Sequence, residues 1–86
     1  MSYTLEVCVD STASALAAKR GGASRLELCA DLIIGGTTPS LALLQQVKAE
    51  TGLPVRVLLR PRIGDFCYDH YELAQMEQCA AQLVAA

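Results

Sequence analysis

The reactive side chains of this 86-residue chain are four cysteines, one histidine, seven basic and nine acidic groups. Two of the cysteines close a repeated phrase: Leu5-Glu6-Val7-Cys8 and Leu26-Glu27-Leu28-Cys29 share L-E-x-C. Side chains alternate with period two along an extended chain, so the Glu and Cys of each phrase share one face, with Cys nearer the C-terminal end. Two thiolates held on neighbouring strands suit Cu(I), a soft ion. Cys8 and Cys29 are therefore the candidate metal ligands, about 5 Å apart if the strands stand in register. Burial as small apolar residues is the competing reading of both. Glu6 and Glu27 are candidate general bases for an enzyme, provided burial raises their pKa. Arg60 and Arg62 can clamp a carboxylate or phosphate bidentately, which would make a small anionic metabolite the ligand, with Asp65 close by in sequence. A structural Glu–Arg network uses the same residues without catalysis. Cys67 is a conceivable third thiol of undefined direction, whereas His70, Met76 and Cys79 fall at or on a C-terminal helix and are not assigned to the site.

Three short apolar alternations must position these groups. Thr4 to Val9, Arg25 to Cys29 and Val55 to Arg60 read as strands, with Leu5, Val7 and Val9 on the apolar side of the first, and Leu26 and Leu28 on that of the second. Between the first two, Asp10 or Ser11 can cap an alanine-rich helix that ends at Lys19-Arg20 and stops at Gly21-Gly22. Asp31 to Gly36 reads as a loop. The Gly35-Gly36-Thr37-Thr38 run lacks the lysine and spacing of a phosphate-binding loop and is better read as turn and cap. Thr38 as N-cap and Pro39 at the first helical position open a second helix, with Leu41, Leu44 and Val47 on one face and Gly52 closing it. Asp69 and Glu72 stand at capping-box spacing, and Leu73, Met76, Ala80, Leu83 and Val84 form the stripe of a third helix.

The order βαβαβα implies parallel strands joined by helical crossovers. Only one face of each strand is apolar. The other carries Glu6, Cys8, Arg25, Glu27, Cys29, Arg56, Leu58 and Arg60, which suits the interior of a barrel better than an open sheet covered on both sides. The expected fold is α/β: the first three βα units of a TIM (β/α)8 barrel, residues 1–86 forming one incomplete N-terminal part. Such a chain is expected to need the rest of a barrel, or copies of itself, to cover its strand edges.

Composition narrows the function. A net charge of -2 and no basic run longer than Lys19-Arg20 argue against nucleic acid. No apolar run approaches the roughly 18 residues of a membrane span, and no secretory signal is recognisable, so the cytosol with reduced thiols is the expected compartment. Cysteine separations of 21, 38 and 12 contain no CxxC pair, which argues against structural zinc.

Four segments, Glu6-Val-Cys-Val-Asp-Ser11, Gly21-Gly-Ala-Ser-Arg-Leu-Glu-Leu-Cys29, Gly35-Gly-Thr-Thr-Pro-Ser40 and Arg60-Pro-Arg-Ile-Gly-Asp-Phe-Cys-Tyr68, resemble in order and spacing the CutC copper homeostasis family. The resemblance implies a cytosolic TIM-barrel protein linked to copper tolerance and copper-ion binding, with no established reaction, of which this chain holds the first three βα units. Ile63 departs from the family's usual glycine at the start of a GGD turn. That implies a stiffer loop, because only glycine reaches positive φ freely.

Overall fold

The computed structural model describes residues 4–32 and 35–86, so Ile33 and Ile34 of the expected loop lie outside the described residues. The elements run β1 (Glu6–Val9), α1 (Thr12–Arg20), β2 (Arg25–Leu28), α2 (Leu41–Thr51), β3 (Val55–Val57) and α3 (His70–Ala85). The strands form one parallel sheet in the order β1-β2-β3, as the βαβαβα pattern requires.

Each helix starts where a short polar side chain takes up free amides. Ser11, rather than Asp10, caps α1 in a reciprocal pair with Ser14, and Asp69 caps α3 with Glu72 as the spacing predicts. For α2 the expectation is corrected: the cap is Ser40, whose hydroxyl accepts from the Leu43 amide, and Pro39 precedes the helix. Thr38 is engaged elsewhere. Its amide donates to the Arg60 carbonyl at 2.9 Å and its hydroxyl accepts from the Arg60 amide at 2.7 Å, which ties this segment to the chain beyond β3. Gly52 ends α2 in the left-handed region at φ 66°, where a side chain would be strained.

The core lies between one face of the sheet and the first two helices. Val9, Ala15, Leu26, Leu28, Leu44 and Val47 are buried, and Val7, Val55 and Val57 flank them. Burial of a side chain such as Leu26 is worth about 2 kcal/mol. Thr51 is polar and buried, yet satisfied: its hydroxyl donates to the Val47 carbonyl at 2.7 Å and accepts from the Leu53 amide at 3.2 Å.

Three further expectations are corrected. Leu5 precedes β1 and is exposed, so it does not join the apolar face. β2 stops one residue before Cys29, and β3 stops at Val57, well short of Arg60. The α3 stripe meets the core only in part: Leu83 packs against it, but no residue of that helix is fully buried, and Leu73 and Val84 are 53% and 86% exposed.

Candidate functional site

The register of the sheet assembles the polar face. Glu6 pairs with Arg25, Cys8 with Glu27, and Glu27 with Arg56. Paired residues of parallel strands point to the same side, so these five side chains share the face opposite the core. Glu6 Oε1 accepts from Arg25 Nε at 2.7 Å and lies 3.8 Å from Arg56 Nε. One of the two candidate bases is thus held between guanidinium groups. The other, Glu27, lies beside the Cys8 thiol.

Cys8 and Cys29 are not in register. The core fixes this, because Val7 must stand beside Leu26 and Val9 beside Leu28 for the apolar face to close. Cys8 consequently faces Glu27, and Cys29 lies two residues further along the neighbouring chain. From strand spacing and rise, that diagonal is roughly 8 Å between backbones rather than 5 Å. Cys8 is exposed and Cys29 is buried. The Cys29 amide donates to the Val9 carbonyl at 3.1 Å, and its Sγ approaches the same oxygen at 3.6 Å.

Both thiols are held in the protonated form over a wider pH range than a free cysteine. Desolvation pushes Cys8 up first, with the Glu27 and Glu6 carboxylates adding to it. Burial pushes Cys29 up, with Cys8, Asp10 and Glu27 contributing. The carboxylates act because a thiolate beside existing negative charge is unfavourable.

The two arginines of the expected anion clamp have different surroundings. Arg62 pairs with Glu72 through Nε and with Asp65 at 3.3 Å, and donates to the Cys67 carbonyl at 3.0 Å. It lies over the Tyr68 ring, 5.2 Å from its centroid. Those partners raise the Arg62 pKa, while the Cys67 amide and then Arg62 lower that of Asp65. Arg60 forms no ion pair among the described residues. It donates from Nη1 to the carbonyls of Gly35 and Gly36 at 3.4 and 3.3 Å, and from Nη2 to that of Gly64 at 3.1 Å. Its Nε is buried with no partner among the described residues, and its guanidinium lies 4.9 Å from the Phe66 centroid.

Sequence reasoning passed over Gly36. Its φ is 84°, and a Cβ there would stand 2.9 Å from Leu58 Cδ2 and 3.6 Å from Cys29 Sγ. The glycine pair was the available signal, legible as a turn but not as a cover for a thiol. Cys67 is exposed, Cys79 is half-buried on α3, and among the described residues no three His, Cys, Asp or Glu side chains converge as metal ligands. Nor is any described helix long and apolar enough to cross a membrane.

Compared with known proteins, the chain matches the CutC family over residues 3–85. It is 53% identical over 75 residues to the copper homeostasis protein cutC homolog of Mus musculus, covering 87% of this chain and 28% of that protein. A CutC family protein of Xanthomonas axonopodis is 50% identical over 80 residues, 93% of this chain and 33% of its own length. Among solved structures, the putative copper homeostasis protein CutC of Streptococcus agalactiae superposes with a TM-score of 0.83 at 33% identity, covering 96% of this chain and 41% of that one. The chain therefore spans about a third or less of these two curated relatives.

Proposed function

The chain belongs to the CutC family, and from that premise we propose that it serves copper homeostasis by offering Cys8 and Cys29 as a two-thiol site for Cu(I). Its fold is the opening three βα units of a TIM-barrel-like architecture, in which functional groups gather at the C-terminal ends of strands. The observation that carries the reading is the placement of these thiols. Cys8 is near the C-terminal end of β1, Cys29 directly follows β2, and each contributes to the electrostatics of one polar face.

The donor set fits the ion. Cu(I) favours soft sulfur ligands and low coordination, and two thiols, with no third ligand converging on them among the described residues, meet both preferences. Copper is the cargo here, and the chain's part is to release the thiol protons and hold the sulfurs. Because both thiols are pushed up, capture releases protons and strengthens as pH rises. The reading places the chain in the cytosol, where thiols remain reduced.

Competitive titration against a Cu(I) chelator tests it. The wild-type chain should bind one equivalent tightly, and Cys8→Ser or Cys29→Ser should each remove that binding. Equal binding by the double serine variant would overturn the site.

A further inference from the structure

Cys29 Sγ is not open to an incoming ion, and the atoms that close it off belong to a small device. Gly36 lies over the thiol, so close that a Cβ at this position would stand 3.5 Å from Cys29 Cβ and 2.9 Å from Leu58 Cδ2. Gly36 and Cys29 are both buried. The chain is brought to this position from its C-terminal side by the Ala30–Thr37 bridge, with two hydrogen bonds of 2.8 Å, and by the Thr38–Arg60 pair. Gly36 and Gly35 also donate their amides to the Asp31 and Leu32 carbonyls at 3.0 and 3.1 Å, and the side-chain tether over both is Arg60. Its guanidinium holds both carbonyls and also that of Gly64 in the segment after β3. No carboxylate among the described residues competes for it.

We infer that Arg60 is a latch: by holding the carbonyls of Gly35 and Gly36 it keeps Gly36 closed over Cys29, and its release governs when that thiol can be reached. The inference rests on the copper-site reading for its purpose, but not for its mechanics. A guanidinium donating to carbonyls forms charge-assisted bonds, stronger than neutral ones yet within what local opening can break without unfolding the sheet. Cys8, already exposed, would make first contact with the ion, and opening of the latch would admit it to Cys29. Arg60 acts through Gly36 and is a positioning residue.

Thiol accessibility tests this without copper. The full chain is pulsed with iodoacetamide, and alkylation is followed for each cysteine by peptide mass spectrometry, with exposed Cys67 as internal reference. Wild-type Cys29 should label far more slowly than Cys67, at a rate insensitive to low urea. Arg60→Met should speed Cys29 labelling about tenfold while Cys67 is unchanged, as expected for hydrogen bonds lost from the closed state alone. Arg60→Lys, which keeps the charge but cannot span the carbonyls, should fall between. Gly36→Ala should also expose Cys29, because its new Cβ meets Leu58. The latch is overturned if Arg60→Met leaves Cys29 labelling unchanged, or if wild-type Cys29 labels as fast as Cys67. It is also overturned if wild-type labelling follows the urea dependence of amide exchange at Leu26 and Leu28, a comparison that needs no variant to fold. Loss of copper binding in the titration above would leave these rates untouched, so the two ideas fail separately.

Discussion

Cys8 and Cys29 differ in what raises their pKa, and the difference makes the polar face testable one residue at a time. Desolvation leads at both, but Cys8 also stands opposite Glu27 in the register and has Glu6 nearby. Removing the Glu27 charge removes one of the repulsions that disfavour the thiolate. Glu27→Gln should therefore move the pH–rate profile of Cys8 alkylation to lower pH and raise its rate at neutral pH several-fold, leaving Cys67 unchanged. An unmoved Cys8 profile would show that Glu27 does not act on the thiol. The residue types of this face were legible in advance, since L-E-x-C occurs twice and period two puts Glu with Cys. What spacing alone does not contain is the offset between strands. That offset is set by Val7 against Leu26 and Val9 against Leu28 across a core formed in three dimensions, and it moves Cys29 away from Cys8 while bringing Glu27 beside it. Arg60 illustrates the same limit. Its charge announces donors, but not that Nη1 and Nη2 meet carbonyls from segments up to 25 residues away.

Among the elements, α2 shows how one local signal can have two users. Thr38-Pro39-Ser40 contains two hydroxyl residues able to cap, and proline at the first helical position favours Thr38 on sequence grounds. In the fold, Thr38 closes onto Arg60, and Ser40 takes up the Leu43 amide. Ser40→Ala should cost about 1 kcal/mol by urea denaturation through lost capping. If it is neutral while Thr38→Ala lowers the helicity of α2, the cap has been placed on the wrong residue. The start of α1 offers a similar choice and takes Ser11 over Asp10, whereas Asp69 with Glu72 forms the box its spacing announces. Strand ends were harder to read because apolar alternation continues past the last ladder bond. Leu58 still donates to the Leu28 carbonyl at 3.0 Å, but Arg60 pairs with Thr38 instead of continuing the ladder.

At the scale of the molecule, the apolar stripe of α3 is correctly patterned and incompletely used. Leu83 lies against the core and, with Leu44, Val55, Val57, Leu59 and Ala80, lines a groove of about 400 Å³, to which the largely exposed Val84 also contributes, while Leu73 is exposed. β1 and β3 are the outer strands of the described sheet, so each presents backbone groups on one side without a strand partner. Periodicity reports that a helix face is apolar, not what covers it, which is why the helix was legible and its exposure was not. Exposed apolar surface beside open strand edges favours self-association. The 86-residue chain should therefore show concentration-dependent mass by light scattering on a sizing column. Val84→Lys lies at a position 86% exposed, where a surface substitution changes stability by only about 0.5 kcal/mol, and it should shift the population toward monomer without moving the melt. A lysine there that leaves the mass distribution unaltered would mean that α3 is not the associating face, and that the open strands should be tested next. A monomer at every concentration in the wild-type chain would mean that three βα units cover themselves well enough to stay apart, and the exposed stripe would then carry no associative role.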